Sequence, residues 1–188
     1  YAVSKLYSHW TTKNYRESYG LFACSGILFN HESPRRGFNF VTKKITSSIA
    51  AIKKGELETI EIGNLNAYRD WGHAKDYVYA MWLILQKDIP DDYVISSGEN
   101  HTVREFIEKS FKYIDIDIKW KGEGLDEIGY DSVTKKTLVK INPKYFRPLE
   151  VDTLLGDCSK AKKDLGWTRN YTFDELIKEM MEEDLKNV

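Results

Sequence analysis

The chain has 188 residues, 41% of them apolar, and 28 Lys and Arg set against 29 Asp and Glu leave a formal net charge of -1. That is enough apolar content to bury the core of one ordinary domain or of one and a half small ones, and a charge so near zero gives no electrostatic case for nucleic acid or another polyanion as partner. The apolar stretch that includes Met81 to Leu85 is far too short to span a bilayer and no charged-then-apolar leader is expected. Cys24 and Cys158 have no metal-ligand spacing with another Cys or His, so no metal site is expected and a reducing, cytosolic setting fits. The absence of an initiator Met, with a start in mid-helix, suggests a piece of a longer chain.

The opening stretch "YAVSK" raises the first chemical question. Val3, Leu6, Tyr7, Trp10 and Tyr15 recur at three- and four-residue steps without proline, and Gly20 stands where a helix commonly ends. A helix therefore brings Tyr1 and Lys5 onto one face, one turn apart. A phenol is a poor proton acceptor near neutral pH, but a cation within about 4 to 6 Å favours the phenolate and makes Tyr a usable base. In a chain with 12 Tyr, a chance match is expected and spacing alone is better read as a surface helix.

After this helix, "LFACSGILFN" is an apolar run of strand length, as in a parallel sheet covered on both faces. "NHESPRRG" reads as a loop, and a helix follows from about Asn39 with Val41, Ile45, Ile49 and Ile52 on one face and Gly55 closing it. "TIEIG" is a short strand, "RDWG" follows a turn, and "HAKDYVYAMWLILQK" reads as a well-buried helix. Then come a strand "YVISSG", a helix opened by a capping box from Thr102 to Glu105, and a strand "DIKWKG". Residues 123–136 are charged and aperiodic, which predicts a surface insertion or mobile loop. "LVKIN" is a strand, "PKYFRPLEVDTLLGD" is loop-like, Ser159 starts a short helix ending at Gly166, and a second capping box, Thr172 to Glu175, opens a terminal helix with Leu176, Ile177, Met180 and Met181 inward. The alternation of strand and helix argues for an α/β architecture with at least part of a parallel sheet. The Gly-rich turn that usually seats a dinucleotide is not among these residues.

Taken together, "YAVSK", "NYRESYG", "ILFNHESPRRG", "FVTKKI", "RDWGHAKDYV", "YFRPLEVDTLLGD" and "KAKKDLGW" resemble, in order and spacing, the carboxyl-terminal half of the GDP-mannose 4,6-dehydratase family, within the extended short-chain dehydrogenase/reductase superfamily. The resemblance implies the carboxyl-terminal part of an NAD(P)-binding Rossmann-type fold plus a smaller α/β substrate-binding domain. About 1–30 and 59–98 would be Rossmann-sheet elements, and about 31–58 and 99–188 mainly the substrate-binding part. It implies NADP as cofactor, GDP-mannose as substrate, and a homodimer or homotetramer. The reaction would run by C4 oxidation, loss of water across C5 and C6, and return of the hydride to C6, because a C4 ketone acidifies the C5 proton.

The resemblance also assigns residues. Tyr1 is implied as the base at the C4 hydroxyl, and Lys5 as its tuning cation and a ribose contact. His31 and Arg36 match cofactor positions, and Asn30, Val41, Lys44, Arg69, Arg147 and Glu150 match positions lining the GDP-mannose pocket. A Thr and a Glu that the family also uses precede Tyr1 and are absent here. Plainer readings stand beside these: His31 satisfying backbone, Arg35 and Arg36 as a solvated pair or a subunit contact, Arg69 bridged to Asp70, and Arg147 paired with Glu150. Trp71 is expected in the core, His73 as a helix cap, and His9 and His101 at the surface. Rival functions are another nucleotide-sugar dehydratase or epimerase of the same superfamily, or a non-catalytic nucleotide-sugar-binding or assembly fragment.

Overall fold

The computed structural model describes residues 1–146 and 151–187. In chain order, helix α1 (Ala2–Tyr19) is followed by strands β1 (Gly26–Leu28) and β2 (Asn30–Glu32), helix α2 (Val41–Lys54), and strands β3 (Ile60–Ile62), β4 (Tyr68–Arg69) and β5 (Trp71–His73). Helix α3 (Ala74–Ile84), strands β6 (Tyr93–Ile95) and β7 (His101–Thr102), and helix α4 (Val103–Lys112) come next. Strands β8 (Ile118–Lys121), β9 (Ile128–Asp131) and β10 (Thr137–Ile141) precede helices α5 (Ser159–Leu165) and α6 (Phe173–Lys186). Gly20, Gly55 and Gly166 close α1, α2 and α5 with φ of 63°, 80° and 64°, the left-handed conformation that glycine adopts without a Cβ penalty. Among the described residues no helix is long and apolar enough to cross a membrane.

Two compact units share the chain: residues 1–31, 70–99 and 155–171 form one, and residues 32–69, 100–154 and 172–188 the other. The expected division differs in two places. Residues 59–69 fall in the second unit, because β3 pairs with β10 there, and residues 155–171 fall in the first.

In the first unit β1 runs parallel to β6, with Gly26, Ile27 and Leu28 opposite Tyr93, Val94 and Ile95, and β2 pairs with β5. The core gathers Tyr77, Ala80 and Ile84 of α3, Ile95 of β6, and Ala161 and Trp167 at α5. Trp167 Nε1 donates to the Asp76 carbonyl at 2.9 Å, so its indole is both packed and satisfied. Three expectations are corrected here. The strand read across 21–30 contracts to Gly26–Leu28, and Leu21, Phe22 and Ile27 are exposed because β6 is the one strand paired with β1 among the described residues. The loop and turn readings miss β2 and β5, whose three-residue lengths carry no readable period. Helix α3 buries one stripe, Asp76, Tyr77, Ala80 and Ile84, while Val78, Trp82 and neighbouring Leu85 face outward.

Helix α1 has no buried residue and is tied down at its carboxyl end. Arg16 donates two parallel bonds to Asp92, at 2.8 and 2.9 Å, and Asp92 also accepts from the Ser25 amide at 2.8 Å. The Arg16 guanidinium, helped by Ser25, holds the Asp92 carboxyl well below the usual carboxylate range. A folded value below the unfolded one, ~4, contributes stability that is full above the unfolded value and is lost as pH falls through the folded one. Thermal melts between about pH 5 and pH 2 should therefore show a falling midpoint, with a shallower slope in Asp92→Asn; equal slopes would contradict the linkage.

The second unit is built on a four-stranded sheet in the order β3-β10-β9-β8, parallel between β3 and β10 and antiparallel elsewhere. Helices α2, α4 and α6 pack on one another, burying Ile45, Ile49, Phe106, Phe111, Met180 and Met181. The expected loop at 123–136 instead holds β9. Its signal was erased by Gly129, which faces Trp120 across the ladder; a Cβ there would stand 2.9 Å from the indole, so the glycine lets the ring lie across the strand. At α6 the capping box is complete, with Glu175 N donating to Thr172 Oγ1 at 3.2 Å and Thr172 N to Glu175 Oε2 at 2.8 Å. At α4 only half of it forms. Thr102 Oγ1 accepts from Glu105 N at 3.0 Å, but the Glu105 carboxylate turns to His101 Nδ1 at 2.9 Å. His101 is thus packed, with its ring stacked on Phe173 at 3.8 Å, where a surface position was expected.

Candidate functional site

Helix α1 delivers the predicted juxtaposition. Tyr1 is its N-cap residue, Lys5 N donates to the Tyr1 carbonyl at 3.0 Å, and Lys5 Nζ lies 5.4 Å from the Tyr1 ring centroid. Hydrogen bonds from the Ser4, Ser8 and Thr12 hydroxyls to carbonyls three or four residues back continue along the helix. The Tyr1 ring is 94% exposed. A phenol with a neighbouring ammionium-bearing side chain and an open approach is able to exchange a proton with a bound hydroxyl and to share the ammonium with a ribose.

Asn30 and His31 lie on β2, both half-buried. His31 Nδ1 is 2.8 Å from the Phe29 carbonyl, and its ring lies 5.1 Å from that of Tyr77. The bond to Phe29 fixes the ring through Nδ1, so Nε2 is the nitrogen left to meet a ligand. His73 caps α3 as expected, with Nδ1 accepting from Lys75 N at 3.1 Å, and Trp71 is in the core at 2% exposure. Asp70, fully buried, accepts from the amides of Ser97, Gly98 and Gly156 at 2.7, 3.1 and 3.2 Å. It is a hub for backbone and fixes the turn after β6.

The remaining predicted residues belong to the second unit. Arg36 is ion-paired through Nε to Glu32 at 3.0 Å, and its guanidinium lies 3.5 Å from the Phe40 ring centroid. Glu32 is buried and also accepts from Thr42 Oγ1 at 2.6 Å. The reading of Arg36 as half of a solvated pair is therefore corrected: it is anchored, while Arg35 is exposed. Val41 opens α2 and is half-buried. Lys44 Nζ stands 3.4 Å from the Tyr145 ring centroid, and Lys44, Ser48, Glu61, Lys140 and Tyr145 border an open groove of about 410 Å³. Arg69 Nη1 donates to the Tyr68 and Val151 carbonyls at 2.7 and 2.6 Å, clamping β4 to the segment after it in space. Arg147 and Glu150 lie outside the described residues.

Sequence reasoning passed over Lys43. It is buried and ion-paired to Asp184 of α6, and it donates to the Pro34 carbonyl at 2.9 Å. The signal was present: position 43 falls three before Thr46 and seven before Ala50, on the buried face of α2. Among the described residues no group of three or more His, Cys, Asp and Glu is placed to hold a metal ion.

A family model described as GDP-mannose 4,6 dehydratase matches residues 1–180. Proteins named GDP-mannose 4,6 dehydratase are 58% identical in Drosophila melanogaster, over 99% of this chain and 47% of that protein, and 58% identical in Dictyostelium discoideum, over 100% and 53%. The human protein of that name is 56% identical over 99% of this chain and 50% of its own length. The chain thus spans about half the length of the curated relatives it matches. Among solved structures, RMD from Pseudomonas aeruginosa complexed with NADPH superposes with a TM-score of 0.83 at 20% identity, covering 100% of this chain and 57% of that one. The dTDP-glucose 4,6-dehydratase of Bacillus anthracis in complex with NAD gives 0.78 at 17% identity, covering 100% and 52%. At such identities these structures speak for a shared fold.

Proposed function

The chain belongs to the GDP-mannose 4,6-dehydratase family, and from that premise we propose that it forms the carboxyl-terminal half of a cytoplasmic, homo-oligomeric enzyme that converts GDP-mannose to GDP-4-keto-6-deoxymannose with NADP. The observation that carries the reading in this chain is the Tyr1 ring beside the Lys5 ammonium on an open helix face. That pair offers a phenol and an ammonium, one helical turn apart, to a nicotinamide ribose and a reacting sugar hydroxyl. When bound, NADP supplies reversible hydride acceptance.

The chain's own residues then divide the work. Tyr1 takes the proton of the C4 hydroxyl, and Lys5 supplies the cation that this base needs and hydrogen-bonds the ribose. His31 and Arg36 hold the cofactor, Arg36 from a fixed position because Glu32 and Phe40 anchor it. Arg69, Arg147 and Lys44 neutralise the diphosphate, Glu150 accepts from ribose hydroxyls, and Asn30 and Val41 line the sugar-nucleotide pocket. The first unit supplies elements of the dinucleotide-binding domain, and the second most of the substrate-binding domain. The Thr, the Glu and the Gly-rich turn come from outside these 188 residues.

GDP-mannose carrying deuterium at C4 tests this in the full-length protein. The expected product has lost one water and keeps the label, now on C6, because the same hydride returns. Product without the label, or no loss of water, would refute the reading.

A further inference from the structure

The segment Ser33–Gly37 carries Arg36, and two separate devices hold it. One is local. The Arg36 amide donates to the Ser33 carbonyl at 2.9 Å, the Arg35 amide meets Ser33 Oγ at 3.2 Å, and the Arg36 side chain is gripped by Glu32 and Phe40. The other comes from far away in sequence. Lys43 Nζ reaches across to the Pro34 carbonyl at 2.9 Å and is itself held by Asp184, in the last turns of the chain's final helix.

The chemistry of this second device is unusual for a merely stabilising contact. Lys43 and Asp184 are 5% and 4% exposed, and Asp184 Oδ2 has no hydrogen-bond partner among the described residues. Removing two such charges from water consumes most of what their attraction returns, so an apolar pair of similar volume would hold α2 to α6 at least as well. What an apolar pair cannot do is donate to Pro34. The carbonyl before the two arginines receives its hydrogen bond from an ammonium whose own place is set by α6.

We infer that Lys43, aimed by Asp184, is a positioning residue that fixes the Ser33–Gly37 segment so that Arg36 is presented in one place to the cofactor; this consequence rests on the assignment of Arg36 to NADP above. The C-terminal helix thereby acts on cofactor binding without touching it. Lys43 serves this purpose, while its neighbour Lys44 points to the groove beside Tyr145.

Two variants of the full-length protein test it. Lys43→Met alone leaves Asp184 buried without its cation and is expected to lower thermal stability. Lys43→Met combined with Asp184→Leu removes both charges and should restore the melting midpoint, yet leave Pro34 without its donor. In the double variant, amide exchange at Arg36 should accelerate at least tenfold while the α4 amides keep wild-type rates. The NADP dissociation constant should rise about tenfold, as for loss of a charge-assisted contact, with GDP-mannose affinity unchanged. A purely structural ion pair predicts wild-type exchange and wild-type NADP affinity once stability is restored, and that outcome overturns the inference. Faster exchange at Arg36 with unaltered NADP affinity would support the anchoring by Lys43 and overturn the assignment of Arg36 to the cofactor, a failure of the functional reading that exchange data alone would not produce.

Discussion

Changing Tyr1 to Phe in the full-length protein should lower kcat for dehydration of GDP-mannose by about 100- to 10,000-fold, the usual contribution of a positioned acid or base, with little change in the dissociation constants of substrate and cofactor. The substitution deletes one oxygen from a ring that is 94% exposed in this chain and makes no packing contact that α1 depends on. A melting midpoint measured on the same full-length variant shows whether lost turnover is lost chemistry or lost fold. Lys5 provides the internal comparison. Lys5→Met removes the cation 5.4 Å from the ring while preserving the aliphatic stem, so it should weaken both turnover and NADP binding. Single-turnover formation of the dehydrated product, followed by mass, separates the two. Unchanged kcat in Tyr1→Phe would remove Tyr1 from the chemistry.

The parts of the fold that a reader of the sequence recovers are those with a local physical signature. Helix α1, its end at Gly20 and the Tyr1–Lys5 approach follow from three- and four-residue steps and a left-handed glycine. The same holds for α2 with Gly55, α5 with Gly166, and the complete cap of α6, where Thr172 and Glu175 each satisfy the other's amide. What escaped was set by which partner an element or side chain took and left no local period to count. Strand β9 is made by its pairing with β8 and β10 and contains the glycine that Trp120 requires. Strand β5 is too short for an alternation to be counted. The carboxylate of Glu105, matched by spacing to a capping box, is drawn instead to His101 four residues earlier, a competing pair of equally ordinary spacing between which the sequence does not choose. At the candidate site the motif put Tyr1 and Lys5 on one helix face, as the structure has them, but the grip of Glu32 and Phe40 on Arg36 was not read, because a loop was expected where Glu32 lies on a strand with its carboxylate buried. Lys43 was missed because a charge in a sequence reads as exposure, and it is Asp184, 141 positions away, together with the Pro34 carbonyl, that makes its burial tolerable.

The same logic gives the largest stability effect expected in the chain, at Asp70. Read from sequence, this residue is simply the neighbour of Arg69; in the structure it is fully buried and its two oxygens accept from three backbone amides, Ser97, Gly98 and Gly156. Those amides belong to two segments far apart in sequence, the turn after β6 and the stretch leading into α5, so one carboxylate closes both against the start of β5. Asp70→Ala strands two buried donors, the Ser97 and Gly156 amides, while the exposed Gly98 amide can turn to water. Each unsatisfied buried group costs about 1 to 3 kcal/mol, and with partial relaxation the loss is roughly 2 to 4 kcal/mol. Against the 5 to 15 kcal/mol typical of whole domains, that is enough to unfold a marginal unit. Asp70→Asn keeps one acceptor oxygen but turns its amide NH2, itself a donor, toward a backbone N–H, so it should lie between Ala and wild type. Urea denaturation at constant m-value orders the three proteins; a loss below about 1 kcal/mol in Asp70→Ala would show that the amides find other acceptors and that the hub is dispensable. If the order holds, Gly156 has a second constraint to answer to, because a Cβ there would lie 2.3 Å from that of Ser96, and the backbone that Asp70 draws in has no room for any larger residue.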